Sequence, residues 1–179
     1  GSLAHFARAG EAPVPPLNMV GDFGGGGMFL AYGVVCALLE AQKSGKGQVV
    51  DVSLLESVFQ IMGPLISLFL TTGQQQPRLG AGLPYTVPRG TYRCSDGKWV
   101  GVSTSADSVA ARVMDLLGVG DDERFRTFAG RAANRDELEA VMRAWCAERT
   151  QPEVIAAFEQ VEAAIGPVMD MEEIATDPH

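Results

Sequence analysis

Two long apolar segments, 24–43 and 54–70, dominate the first part of the chain. Apolar residues cover most of the helical circumference of the first segment, which predicts a buried helix and not a surface one. The second, LLESVFQIMGPLISLFL, is about as long as the shortest membrane spans. Glu56, Gln60 and the Gly63-Pro64 pair argue against lipid as its surroundings. We therefore expect two helices buried in protein and no membrane partner.

The composition of the 179-residue chain is that of a soluble globular protein, with 46% hydrophobic and 20% charged residues. The formal net charge is -8 and no basic stripe is visible, so a nucleic-acid partner is not expected. Three scattered cysteines and two histidines lack the spacing of a zinc site, so no metal is expected either. Unpaired thiols and the absence of a signal-peptide pattern favour a cytoplasmic location.

Local composition divides the chain further. Residues 11–22 contain three prolines and predict an extended connection that leads to Asp22 at the start of a helix. A β-branched run at 48–52, QVVDV, predicts a short strand. A glutamine-, glycine- and proline-rich segment, 72–90, predicts a linker or lid, because long stretches without periodicity are uncommon inside compact domains.

The rest of the chain, 91–179, predicts a small α+β domain. Asp96-Gly97 lies between two alternating runs and indicates a β-hairpin. Three helical patterns follow, at 106–118, 135–149 and 152–164. Asn134 and Thr150 precede the last two patterns and are predicted to cap them. The fold class expected for the whole chain is therefore α+β.

The local feature that most suggests chemistry is GDFGGGG, residues 21–27. Glycines at the mouth of a helix let a ligand approach the backbone, and a helix N-terminus favours a negative charge, which includes the carboxylate of Asp22. The alternative is that the glycines only permit tight helix packing and that Asp22 is an N-cap. The GxxxxGK[ST] phosphate-binding motif is absent, and no strand immediately precedes the run.

Four basic residues give a weaker signal around the flexible segment and the hairpin: Arg78, Arg89, Arg93 and Lys98. They could contact an anionic ligand. They could equally form a solvated face, which is the ordinary environment of lysine and arginine side chains. The residues alone leave both interpretations open.

Residues 13–56 resemble the family III CoA-transferases, the CaiB/BaiF group, which also contains the α-methylacyl-CoA racemases. The pattern is GD-F-GGG, a helix that ends in ALLE, and then SGKGQVVDVSLLE; the resemblance continues at 88–103, 124–141 and 165–179. Members of the family are longer, so the resemblance implies a middle-to-C-terminal fragment of such an enzyme. Three parts are then expected: 1–71 as the C-terminal part of a large domain, helical with one short strand; 72–90 as a linker or lid; and 91–179 as a small α+β domain.

The resemblance implies CoA transfer from an acyl-CoA to an acceptor carboxylate, with Asp22 as the nucleophile that forms an aspartyl covalent intermediate. Coenzyme A would enter as part of the substrate, with no tightly bound cofactor, and two full-length subunits would interlock as a homodimer. Residues expected to contact the substrate are Gly24, Gly25, Gly26, Gly27 and Arg89.

Two other functions remain open. In the racemases the matching aspartate is one of the acid/base groups that exchange the α-proton of an acyl-CoA, and its partner is a histidine of the missing N-terminal half. The racemases also place a glutamate just after a strand of the small domain. Here Ala106 stands at that position, with Asp107 beside it. The 179 residues alone could also be inactive and act as a dimerising scaffold.

Overall fold

The computed structural model describes residues 10–12, 19–63 and 65–179. It confirms the α+β class. Its backbone separates into two compact units, with the division between Arg78 and Leu79 and thus inside the segment 72–90. The first unit is helical. The second unit contains a three-stranded antiparallel sheet and several helices.

The first unit begins with a π-helical segment, Met19–Met28, which continues directly into helix α1, Phe29–Ser44. Helices α2, Leu54–Ile61, and α3, Leu65–Thr72, follow. Gly45 ends α1 in the left-handed conformation, with φ 71°, and its N–H donates to the carbonyl of Ala41 at 2.8 Å. A glycine stop at this point is what the SGKG sequence predicts.

Three expectations for the first unit need correction. Residues 19–22 are helical and not part of an extended connection, whereas 13–18 lie outside the described residues. Residues 48–52 form no strand, because no described segment pairs with them. The apolar segment 54–70 is not one helix: α2 and α3 are bent by 68°, and Gly63 between them has φ 58°.

The helices of the first unit expose most of their apolar side chains, so among the described residues they are not the buried helices that the sequence predicts. Among its described residues only Gly25 and Ser57 are buried, and α1 buries none. By length and composition the continuous helix Met19–Ser44 could cross a membrane, as could the bent α2–α3 pair. A helix whose apolar surface packs against other protein passes the same test.

In the second unit, β1, Arg89–Arg93, pairs with β2, Trp99–Ser103, and β2 pairs with β3, Ala164–Pro167. The hairpin expected around Asp96-Gly97 is confirmed. Five helices complete the unit: α4, Asp107–Leu116; α5, Phe128–Ala133; α6, Arg135–Ala147; α7, Gln151–Gln160; and α8, Met171–Thr176. A short 3₁₀ turn, Glu123–Phe125, precedes α5.

The hydrophobic core of the chain lies in this second unit. One face of the sheet contributes Tyr92, Val100 and Val102, and the helices α4, α6 and α7 contribute Val113, Leu138, Met142, Val154 and Phe158. Phe158 is 0% exposed and meets Trp145 edge to face, with 5.9 Å between the ring centroids. One face of the sheet thus packs against the core. The opposite face, which includes Arg89, Thr91, Gly101 and Ser103, is called the open face below.

The two predicted caps differ in outcome. Glu153 accepts hydrogen bonds from the backbone N–H and the hydroxyl of Thr150, both at 2.8 Å, so Thr150 begins α7 as expected. Asn134 precedes α6, but its side chain does not cap that helix. Its Nδ2 instead donates to the carbonyl of Gly130 at 2.9 Å, because the residue also ends α5.

Asp96 in the hairpin makes the stability of the second unit depend on pH. Its carboxylate accepts from the backbone N–H of Gln151 at 2.9 Å and of Lys98 at 3.1 Å, and these bonds lower the pKa of Asp96 below its ordinary 3.8. A lowered pKa stabilises the folded state above pH 3.8, and this contribution is lost as pH falls through the folded-state pKa. We expect Asp96→Asn to have a lower free energy of unfolding than the wild type at pH 7, and the gap between the two to shrink below about pH 3.8. Urea unfolding followed by circular dichroism measures both free energies across this pH range. A constant difference across that range would contradict this assignment.

Gly130 in α5 occupies a position with no room for a side chain. A Cβ there would lie 2.5 Å from the carbonyl oxygen of Arg124, a backbone atom that cannot rotate away. We expect Gly130→Ala to lower the free energy of unfolding by about 2 kcal/mol. Gly166→Ala is the matched control, since a Cβ at Gly166 meets nothing within 4 Å. Equal unfolding midpoints for the two variants would show that the backbone at Gly130 adjusts freely.

Candidate active site

Asp22 lies in the first turn of the π segment, and its side chain is exposed. In a π-helix each N–H bonds to the carbonyl five residues earlier, so the N–H groups of residues 19–23 have no partner within the helix. These groups place the positive end of the helix dipole around the Asp22 carboxylate. The carboxylate is therefore accessible and lies at the N-terminal end of the helix.

The glycine run lies inside this helix and not at its mouth, because the helix begins at Met19. The π winding leaves little space outside the backbone. A Cβ at Gly24 would lie 3.2 Å from the carbonyl oxygen of Met19, and one at Gly25 would lie 3.2 Å from that of Val20. π-helical turns are rare and frequently occur at functional sites. The residues at the mouth of the helix are thus those around Asp22 and not the glycines.

The same glycines let α2 pack closely against the π segment. A Cβ at Gly25 would lie 3.2 Å from the Cβ of Ser57, and a Cβ at Gly26 would overlap the side chain of Leu54. Gly21 faces Val58, since a Cβ added at this glycine would lie 3.8 Å from Cγ2 of the valine. One side of the segment is therefore a packing surface, in line with the alternative interpretation of the sequence. Asp22, in contrast, is exposed.

In the second unit the structure places Ala106 as the residue that precedes α4, shortly after the end of β2. The neighbouring Asp107 forms an ion pair with Arg131, with 2.7 Å from Oδ1 to Nη2. Arg131 is only 2% exposed and also donates to the carbonyls of Phe125 and Arg126. Asp107 therefore holds a buried arginine. No local pattern in the sequence indicates this pair, because its members are 24 residues apart.

Arg89 opens β1, and its backbone N–H donates to Oε1 of Glu139 at 3.4 Å. The hydroxyl of Tyr92 donates to the same oxygen at 3.1 Å. Burial, followed by the charge of Glu139, raises the pKa of Tyr92 far above its ordinary value, so this tyrosine stays protonated. Across the described ranges, no three His, Cys, Asp or Glu side chains come together in a way that could hold a metal ion.

Comparison with known proteins identifies the family. The family model for CoA-transferase family III matches residues 1–179. The chain belongs to this family. Its aspartate and glycine run therefore lie in a family III chain, and the resemblance drawn from the GD-F-GGG pattern is confirmed.

Curated relatives of the family III chain include a racemase and a CoA-transferase. It is 32% identical over 188 residues to the α-methylacyl-CoA racemase of Mus musculus, in an alignment that covers 100% of this chain and 47% of the racemase. It is 30% identical over 154 residues to the succinyl-CoA–D-citramalate CoA-transferase of Chloroflexus aurantiacus, in an alignment that covers 84% of this chain and 38% of the transferase. The chain thus spans less than half the length of these two relatives.

A solved structure shares the fold of the family III chain. A CaiB/BaiF family protein from Brucella suis superposes with a TM-score of 0.76 at 24% identity, over 99% of this chain and 47% of that protein. At this identity the likeness speaks for the fold alone. It supports the α+β architecture and the arrangement of elements within the second unit.

Proposed function

We propose that the full protein transfers coenzyme A from an acyl-CoA to an acceptor carboxylate, with Asp22 as the nucleophile. The observation that carries this proposal is the exposed Asp22 carboxylate in the first turn of the π segment, at the positive end of the helix dipole. The activities named for the relatives support it, since the succinyl-CoA–D-citramalate enzyme is a CoA-transferase. Coenzyme A is then part of the substrate, and the reaction takes place in the cytoplasm.

The reaction proceeds by exchange at one carboxyl group. An oxygen of Asp22 attacks the thioester carbonyl, the carbon–sulfur bond breaks, and a mixed anhydride and CoA thiolate form. The thiolate attacks the Asp22 carbonyl and releases the donor acid, which leaves an aspartyl-CoA thioester. The acceptor carboxylate attacks this thioester and expels the thiolate, which then attacks the acceptor carbonyl and regenerates Asp22. Each step exchanges one leaving group for one nucleophile, which divides a difficult transfer into easier ones.

The helix N-terminus around Asp22 suits this chemistry. Each attack places negative charge on a carbonyl oxygen, and the positive end of a helix dipole stabilises such an oxyanion. Gly27, one π turn after Asp22, is the exposed member of the glycine run and is the glycine that we assign to the substrate side. Gly25 is buried against α2, so its contribution to substrate binding is indirect.

Trapping the intermediate tests the proposal. The full-length enzyme is incubated with a panel of acyl-CoAs, quenched with hydroxylamine and digested for peptide mass spectrometry. We expect a hydroxamate mass shift on the peptide that carries Asp22, because hydroxylamine attacks an activated aspartyl group and leaves a free carboxylate unchanged. The peptide that carries Asp51 is the internal control. CoA transfer from an acyl-CoA of the panel without any adduct on Asp22 would exclude Asp22 as the covalent nucleophile.

Racemisation of the acyl group is the second candidate, favoured by 32% identity to the mouse racemase across the whole chain. The methyl side chain of Ala106 cannot act as an acid or base, and the neighbouring Asp107 is paired with Arg131. Both facts count against racemisation. The outcome that would favour racemisation is α-deuterium in recovered acyl-CoA after reaction in heavy water, with Asp22 unmodified.

The exposed apolar surface of the helices in the first unit supports a homodimer as the active form of the full protein. Large apolar side chains of α1 are open to solvent, among them Tyr32, Val35, Leu38 and Leu39. Contiguous apolar surface on this scale marks a protein–protein contact. We expect the 179-residue chain to elute as an oligomer in size-exclusion chromatography with light scattering. A monodisperse monomer would count against association through these helices.

A further inference from the structure

Two arginines of the second unit stand apart from all its other basic residues. The structure describes every residue of this unit, 79–179. Each of its other lysines and arginines contacts a carboxylate or a backbone carbonyl, as in the pairs Lys98–Glu173, Arg124–Asp122, Arg126–Glu123, Arg131–Asp107 and Arg143–Glu139 and the carbonyl contacts of Arg112, Arg135 and Arg149. Within the unit, the guanidinium groups of Arg89 and Arg93 have no such partner. Two cations are thus left free in a unit that is otherwise acidic.

Both free arginines point to the open face of the sheet. Side chains alternate along a strand, so Arg89, Thr91 and Arg93 share one face of β1, opposite to the buried Tyr92. The register places Arg89 beside Ser103, and Ser103 beside Ala164 of β3. The next row on this face is Thr91, Gly101 and Gly166. Gly101 and Gly166 therefore leave the middle of the face without side chains. It lies between the row of Arg89 and Ser103 and the row of Arg93 and Trp99.

This arrangement produces a recess of about 360 Å³. Its floor is backbone around Gly101, its sides include the hydroxyl-bearing Thr91 and Ser103, and Arg89 lines it at the edge strand. A volume of this size is at the lower end of the range for small-molecule sites. Most of the lining residues belong to the three paired strands, and Ala81, which precedes β1, completes the recess.

We propose that this recess binds the oxyanion group, carboxylate or phosphate, of a small ligand. A guanidinium can donate two parallel hydrogen bonds to either group, and the hydroxyls of Thr91 and Ser103 supply neutral donors at the same place. Arg93, on the same face, adds positive potential near the recess. The glycine floor lets the ligand approach the backbone, which a side chain at Gly101 would prevent. The recess belongs to the second unit, whereas Asp22 belongs to the first, and the proposal adds an anion site to the CoA transfer proposed above.

Arginine labelling of the wild-type chain tests the proposal directly. The chain is treated with phenylglyoxal, with and without succinate, inorganic phosphate or pyrophosphate, and each arginine is followed by peptide mass spectrometry at matched ionic strength. We expect saturating ligand to slow labelling of Arg89 by about tenfold, the effect of one or two charge-assisted hydrogen bonds. Arg126, exposed and paired only with Glu123, is the control and should label at an unchanged rate. Protection by succinate alone, or by the phosphates alone, identifies which oxyanion the recess takes.

Variants separate binding in the recess from a general effect of charge. Calorimetric titration with the protecting anion should show binding weakened about tenfold in Arg89→Gln and unchanged in Arg126→Gln. Ser103→Ala provides a second test that keeps all charges, with a smaller loss expected. Asp22→Asn should retain protection of Arg89, so failure of the proposed CoA transfer would not be confused with failure of this site. Equal slowing at Arg89 and Arg126, or full binding by Arg89→Gln, would overturn the proposal.

Discussion

Asp22→Asn is expected to lower kcat for CoA transfer by about 10⁴-fold or more in the full-length enzyme, since removal of a covalent nucleophile leaves only binding and oxyanion stabilisation. The amide has nearly the shape of the carboxylate but cannot attack a thioester. Asp22 is exposed, so its replacement should leave the fold intact. The measurement is steady-state transfer between an acyl-CoA and an acceptor acid, followed by chromatography of the CoA esters.

Asp51→Asn is the matched control, because Asp51 is an exposed carboxylate of the same unit in a segment without helix or strand. It should keep transfer within a few-fold of the wild type. Substantial transfer by Asp22→Asn, with equal circular dichroism spectra, would show that Asp22 is not the nucleophile. An equal loss in both variants would point to a general effect of charge on substrate binding.

Phe158→Ala is expected to lower the free energy of unfolding of the second unit by about 4 kcal/mol, the usual cost of truncating a fully buried phenylalanine. Phe158 is 0% exposed at the centre of the core, and its loss would leave Trp145 without its edge-to-face partner. Urea unfolding monitored by tryptophan fluorescence and far-ultraviolet circular dichroism measures the change.

Phe128→Ala is the control, since the Phe128 ring is 38% exposed and should cost well under half as much. Its ring lies 6.0 Å from the guanidinium of Arg131, so a small loss remains. Equal destabilisation by the two variants would mean that the buried Phe158 contributes no more to stability than the partly exposed Phe128.

Local signals predict the second unit better than the first. The Asp96-Gly97 hairpin, the three helical patterns and the Thr150 cap depend on neighbouring residues and are all visible in the sequence. The strand expected at 48–52 does not form, because a strand needs a partner that the same few residues cannot specify. The break at Gly63 divides a segment whose apolar residues alone predict one helix.

The candidate site shows a similar limit. GDFGGGG marks the place of the exposed carboxylate, yet the residues alone leave a cap and a packing role open for Asp22 and the glycines. Helix propensities do not predict a π-helix through four glycines, because glycine disfavours any regular helix. Only the close packing around the segment explains why these four positions are glycine. The Arg131–Asp107 pair is invisible in the sequence, since it is a product of tertiary structure. Arg89 and Arg93 stand out as basic residues, but only the register shows that both lie on one open face.

The unequal burial of the two units bears on the fate of a newly made chain. Leu79–His179 has its own hydrophobic core, whereas the described helices before it bury almost no residues of their own. Under the proposed homodimer, a chain that has not yet paired would therefore contain one folded unit and one unit with exposed apolar helices. Chaperones and proteases recognise such exposed apolar helices, so cells would clear unassembled copies selectively. If the proposed dimer is the active form, the amount of active enzyme would then depend on the rate of subunit association as well as on the rate of synthesis.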